Sequence, residues 1–293
     1  MSDLVGARVV VVHAHPDDEA ITTGGTIAHL SQRGAEVTVV TCTLGEQGEV
    51  IGESYQGLVR TDQLGGFRIA ELQRSLAHLG ARGEFLGGVA CWRDSGMQGD
   101  PANDRPGAFL HSGHTAVQQL EQVFERLRPH LVITYGPDGG YGHPDHIRAH
   151  EITHAAVAAS SVQRVLWAVT GAADLDRGVA AIAETPHGWR LPHPGELSSQ
   201  QRVDLRLPLD DAAYAAKVRA FEAHATQLWV ANGGVSEVNP RAAFARTVDT
   251  DAAPLVYCLS NRIAQPLMRY EHFQYASGTP LGAALCPMEG LTW

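Results

Sequence analysis

Two short segments hold most of the side chains in this sequence that could do chemistry. The first is His13-Ala14-His15-Pro16-Asp17-Asp18-Glu19 and the second is Tyr141-Gly142-His143-Pro144-Asp145-His146. Each contains His-Pro-Asp, and each follows an apolar, strand-like run. His15 and Asp18 stand three apart across a turn, which lets both side chains converge on one ion, while Asp17 points elsewhere and is free for acid–base work. Alone, the first segment reads equally well as a solvated acidic turn at a helix start, where the dipole favours consecutive acids. The second segment removes that balance, because a repeated His-Pro-Asp loop is hard to explain without a metal. His15, Asp18 and His146 form the inferred ligand set, with His143 as the alternative to His146. Two imidazoles and one carboxylate suit Zn²⁺ with a position left for water, the pattern of catalytic rather than structural sites. Neither loop holds a cysteine, which argues against a thiolate-rich structural zinc, and Fe²⁺ stays open as a competitor for such a set.

This chemistry requires the two loops side by side, and the surrounding pattern predicts that they are. Ala7 to Ala14 is a β-branched run without a polar face, as in a strand buried on both sides. Further strands are expected at Glu36–Cys42, Glu84–Leu86, His130–Tyr135 and Arg164–Thr170, alternating with helices over about 23–32, 62–79, 115–127 and 145–159. Repeated β–α units imply an α/β fold, a Rossmann-like and mostly parallel sheet with helices on both faces. In strand order 3-2-1-4-5 the first and fourth strands meet where the order reverses, so both loops open into one crevice. The polar stretch 88–112 has the length of an active-site loop. Residues 1–170 are therefore the expected metal-binding catalytic core. Residues 171–293 read as a smaller, less regular α+β subdomain completing the substrate cleft, with strands at Val203–Leu207 and Leu255–Leu259 and a helix at Asp210–Leu228.

Several function classes drop out. Gly24 and Gly25 come too late after the first strand for a GxGxxG turn, and neither GxxxxGK[ST] nor GxSxG occurs, which disfavours dinucleotide, P-loop and serine-hydrolase chemistry. Lys217 is the only lysine, and 22 Lys+Arg against 32 Asp+Glu leave a net charge of −10. No basic face exists to neutralise nucleic-acid phosphates or to hold an anionic membrane. No apolar stretch approaches the about 20 residues of a membrane span, and no signal-peptide pattern is present. Cys42, Cys91, Cys258 and Cys286 are far apart without a CxxC, as expected of thiols in a reducing compartment. These features predict a cytoplasmic enzyme with a small-molecule substrate, a homo-oligomer being an open option. Of the 15 histidines, His13 is expected as a hydrogen-bonded core residue. His150 and His154 follow His146 at helical spacing and read as a packed helix face rather than a second metal site.

The motifs AHPDDE (Ala14–Glu19) and GHPDH (Gly142–His146) resemble those of the zinc-dependent N-acetylglucosaminyl deacetylases, the PIG-L/LmbE-like family. VTCTLGEQGEVIG (Val40–Gly52), DQLGGFRIAEL (Asp62–Leu72) and WRDSGM (Trp92–Met97) narrow the resemblance to the family's mycothiol-pathway branch. HATQ (His224–Gln227) and LSNRIAQP (Leu259–Pro266) fit the same branch more weakly. The resemblance implies removal of acetate from 1-O-(2-acetamido-2-deoxy-α-D-glucopyranosyl)-1D-myo-inositol. A mycothiol S-conjugate amidase or an antibiotic-glycoside deacetylase is the alternative. The resemblance and the local chemistry agree on Asp17 as general base. His143 is expected to stabilise the oxyanion as an imidazolium oriented by Asp145, and Tyr141 to add a hydroxyl or gate the pocket. Arg68 and Asp94 match the family's substrate-contacting positions. Because Asp17 and His143 are both present, a non-catalytic sugar-binding relative is disfavoured.

Overall fold

The run RVVVVH has no polar face, and it forms β1 (Arg8–His13) in the interior of a seven-stranded sheet, with its last five residues buried. The computed structural model describes residues 3–293. After β1 come α1 (Asp18–Gln32), β2 (Glu36–Thr41), a single turn α2 (Gly57–Arg60), α3 (Leu64–Leu79) and β3 (Arg82–Phe85). Then follow α4 (Gly113–Leu127), β4 (Leu131–Tyr135), α5 (Pro144–Ala158) and β5 (Arg164–Val169). These five strands are parallel in the expected order 3-2-1-4-5. The remaining elements are α6 (Ala172–Ala180), β6 (Ile182–Glu184), β7 (Leu205–Pro208), α7 (Asp211–Ala223), β8 (Trp229–Val230), β9 (Arg246–Thr247), β10 (Leu255–Cys258), β11 (Gln265–Leu267) and β12 (Tyr270–Gly278).

Two of these later strands join the main sheet. β12 pairs antiparallel with β5, and β7 pairs antiparallel with β12, so the full order is β3-β2-β1-β4-β5-β12-β7. β12 had no counterpart in the sequence pattern. Small sheets β11-β10-β8 and β6-β9 account for the irregular look of the C-terminal part. One face of the main sheet is covered by α1, α3 and α7, whose apolar residues form a core with Val9, Val11 and Ile133. α4 and α5 cover the other face, packing on Val10, Val12 and Val132.

Helix α1 begins at Asp18, five residues before the expected Thr23. The turn can be this abrupt because Asp17 adopts φ 109°, ψ −31°, a positive-φ conformation that only glycine takes without strain. Gly25, too late for a dinucleotide fingerprint, has a packing purpose: a Cβ there would lie 2.2 Å from Leu209 Cδ1. At the other end of the chemistry, α7 stops at Ala223 rather than Leu228, freeing His224–Gln227 to run beneath α1 and α3.

Candidate active site

The two His-Pro-Asp loops leave the carboxyl ends of β1 and β4, which are paired directly from Val9↔Leu131 to Val11↔Ile133. That pairing brings three expected ligands into one triangle. His15 Nδ1 and Asp18 Oδ2 are 3.5 Å apart, His146 Nε2 and Asp18 Oδ2 3.5 Å, and His146 Nε2 and His15 Nδ1 3.3 Å. A tetrahedral ion with bonds of about 2.0–2.1 Å separates its ligand atoms by about 3.3 Å. The residues present therefore fit Zn²⁺ or an ion of similar size. His143, with His15 and His146, forms a further set of close donor atoms, and His15 with Asp94 and Asp145 another.

The three side chains of the triangle are held by further partners, as metal ligands usually are. His15 Nε2 faces Asp145 Oδ2 at 3.2 Å and Asp94 Oδ1 at 3.5 Å. His146 Nδ1–H donates to the Gly139 carbonyl at 3.0 Å, so its Nε2 points inward as a lone pair. Asp18 Oδ2 accepts from the Tyr135 hydroxyl at 2.6 Å and from the His15 amide at 2.9 Å. Tyr135 also stacks on His146 with ring centroids 4.2 Å apart. It was absent from the expected site, although its place as the last residue of β4 was a usable signal.

Burial works against a proton on His15, but Asp94, Asp145 and Asp18 outweigh it and lift that imidazole well above its ordinary range. Asp18 is likewise opposed by burial yet held well below the usual carboxylate range by His146 and His15. The surrounding carboxylates thus favour positive charge at the centre of the cluster.

Asp17 lies beside the triangle with a different balance. Burial raises it to about 7, partly offset by Arg68 and reinforced by Asp18. Arg68 Nη2 sits 3.0 Å from Asp17 Oδ2. The guanidinium also donates from Nη1 to the Gly45 carbonyl at 2.7 Å and from Nη2 to the Pro16 carbonyl. Gly45 makes this possible, since a Cβ there would stand 2.1 Å from Nη1. Arg68 borders the cavity, and its guanidinium also holds Asp17 and the loop.

His143 caps α5, and its Nδ1 accepts the Asp145 amide N–H at 3.1 Å. Burial, then His15 and His146, push it down to about 3. The ring is therefore neutral with its proton on Nε2, which corrects the expected imidazolium. The Asp145 carboxylate does not orient it either. That carboxylate accepts from the Ser95 amide at 2.9 Å and turns to His15, with Oδ1 buried and unpartnered. Asp94 is fixed by the Gly96 and Gln47 amides, so it orients His15 as well as facing the cavity. Tyr141 is 59% exposed and its ring lies 5.0 Å from that of His146, a position at the rim.

His13, His150 and His154 behave as packing groups. His13 is fully buried with Nε2 2.9 Å from Thr23 Oγ1. His150 Nδ1 meets the Tyr135 carbonyl, and His154 Nε2 accepts from the Trp167 indole.

A cavity of about 620 Å³ opens over these groups. It is lined by α1 and the two loops and, from beyond residue 170, by Glu196, Gln200, Phe221 and Tyr257 among others. The strap carrying Glu196–Gln200 is tied to the second loop through Ser198 Oγ to the Gly140 carbonyl and Gln200 Nε2 to Asp138 Oδ2.

Comparison with known proteins gives a consistent picture. Residues 10–157 match the family described as PIG-L, GlcNAc-PI de-N-acetylase. The chain is 64% identical over 296 residues to the 1D-myo-inositol 2-acetamido-2-deoxy-alpha-D-glucopyranoside deacetylase of Corynebacterium efficiens, covering 100% of this chain and 95% of that protein. It is 47% identical over 294 residues to the protein of the same name from Rhodococcus erythropolis, covering 94% and 93%. Among solved structures, the fold resembles the A40926 pseudoaglycone deacetylase, with a TM-score of 0.51 at 22% identity over 75% of this chain and 82% of that one. It also resembles the zinc-inhibited form of teicoplanin deacetylase, with a TM-score of 0.53 at 16% identity over 93% and 100%.

Proposed function

The chain belongs to the GlcNAc-PI de-N-acetylase (PIG-L) family, and from that premise we infer that it is a hydrolase removing the N-acetyl group from 1-O-(2-acetamido-2-deoxy-α-D-glucopyranosyl)-1D-myo-inositol in mycothiol biosynthesis. The names of its full-length relatives favour this substrate over a mycothiol conjugate or an antibiotic glycoside. The observation that carries the chemistry is the His15–Asp18–His146 triangle with a carboxylate raised to about 7 at its side.

His15, Asp18 and His146 would hold the metal, for which Zn²⁺ is our assignment. Bound there, such an ion supplies Lewis acidity for an amide carbonyl and lowers the pKa of water from 15.7 towards about 7. Asp17 Oδ2 is engaged by Arg68, which leaves Oδ1 to take the proton of the attacking water and later return it to the departing amine. His143 donates its Nε2–H to the oxygen that gains charge, as a neutral hydrogen-bond donor. Asp145 and Asp94 keep His15 in its metal-facing orientation. The part of the chain beyond residue 170 completes the cleft and borders the glucosaminide through the Glu196–Gln200 strap. Tyr141 acts from the rim as a gate.

The test is amine release from N-acetylglucosaminyl-inositol, run beside a mycothiol conjugate, with and without chelator. Chelation should abolish turnover and Zn²⁺ should restore it. Activity that survives complete metal removal would sink this reading.

A further inference from the structure

The strained conformation of Asp17 needs something to hold it, and the holding group comes from a distant segment of the chain. The Asp17 amide N–H donates to Glu19 Oε2 at 3.0 Å. Glu19 is completely buried, and its other oxygen accepts from His224 Nε2 at 2.6 Å and from Ser75 Oγ at 2.5 Å. His224 is itself completely buried immediately after α7, 205 residues from Glu19. Glu19 does not border the cavity, and neither side chain has an assigned role in the reaction.

We propose that His224, acting through Glu19, is a positioning residue that keeps Asp17 at positive φ and so aims the general base. A helix would otherwise start with Asp17 relaxed to an ordinary negative φ, and its carboxylate would swing relative to Arg68 and the metal ligands. Removing a side chain that clamps the backbone costs rate because a displacement of about 1 Å at a reacting group can lower turnover by about 10²-fold. The clamp needs only an N–H at Nε2, which a glutamine amide can replace. The neighbouring Thr226 is a built-in control. Its amide and hydroxyl bind Glu71 at 2.9 and 2.6 Å, anchoring the same segment to α3 without touching Glu19 or Asp17.

The proposal rests on the hydrolase reading, and the test separates the two. Acetate release from N-acetylglucosaminyl-inositol is measured on zinc-loaded wild type, His224→Leu, His224→Gln and Thr226→Val, with zinc content and Tm for each. His224→Leu should lose on the order of 10- to 100-fold in kcat, with KM and zinc content within about twofold, and His224→Gln should recover most of that loss. Thr226→Val should lower Tm while keeping kcat per folded molecule within about twofold. Unchanged kcat in His224→Leu overturns the proposal, as does an equal kcat loss in Thr226→Val at equal Tm. Should His224→Leu not fold, Glu19→Gln takes its place, since an amide cannot accept from all of these donors; normal kcat there overturns the proposal too. An inactive wild type would overturn the hydrolase reading instead. In that case a crystal structure of the variant decides the matter, and Asp17 still at a φ near 109° would refute the clamp.

Discussion

Helix α1 carries two buried polar clusters, one at each end of a stretch from Asp18 to Gly25, and they are built on opposite principles. At Gly25, Glu271 of β12 accepts from the Gly25 amide at 2.8 Å, the Thr26 amide at 2.7 Å, the Thr26 hydroxyl at 2.5 Å and Lys217 Nζ at 2.6 Å. Each of its oxygens has two donors. At Asp18, by contrast, His15 Nδ1 and His146 Nε2 face each other at 3.3 Å, and Asp145 Oδ1 has no partner at all. A buried polar group is tolerated when it is satisfied and costs stability when it is not. The satisfied cluster is structural: it pins the last strand to the first helix. The unsatisfied one is shaped around something that the chain does not itself supply.

That contrast can be broken most directly at the base. Asp17→Asn should lower kcat by on the order of 10²–10⁴-fold, the range of a general base, with metal content unchanged by elemental analysis. His143→Ala removes one oxyanion donor and should cost about 10²–10³-fold in kcat. If His143 works as a neutral donor, that loss is the same from pH 6 to 8 rather than shrinking with alkali as it would for an imidazolium, and steady-state rates across that window check it. Lys217→Met attacks the other cluster and should read out as stability, about 3–5 kcal/mol by denaturant unfolding, because it strands the buried Glu271 charge. A parallel loss of bound metal in the folded fraction would erase the distinction between the clusters. The pH profile sharpens the comparison further. Asp17 must be ionised to act, and burial holds it near 7 before a bound dication draws it down. The rate should therefore fall as pH drops, with a midpoint below about 7, and this acid limb should vanish in the residual activity of Asp17→Asn. Tyr141→Phe, at the exposed rim, should change kcat/KM by less than about tenfold.

The same contrast explains what could be read from the sequence. His15, Asp18 and His146 were legible because two loops of like composition followed two apolar runs, and the 3-2-1-4-5 order of parallel sheets then placed them together. The beginning of α1 was not, because a positive φ at Asp17 breaks the pattern of helix starts. β12 was missed because YEHFQYASG shows no clean alternation: Glu271 and His272 are buried polar residues, satisfied by Lys217, α1 and Asp174. Burial of that kind depends on partners 54 to 246 residues away. The link from His224 to Glu19 was hidden for the same reason. The place of His143 in the second loop was legible, but its ring contacts were not, since only the fold reveals that a backbone amide occupies Nδ1.

The insertion of β12 between β5 and β7 also sets an order of events during synthesis. The five parallel strands are complete once residue 169 has been made, yet β5 then presents an open edge until Tyr270–Gly278 arrives. Exposed edges recruit other strands, so a nascent or truncated chain should be prone to aggregate through β5. Glu271 rides in on the same strand and docks on α1. The helix that carries Asp18 is therefore locked in place by a side chain made 246 residues after the amide it binds, long after the first His-Pro-Asp loop has been formed.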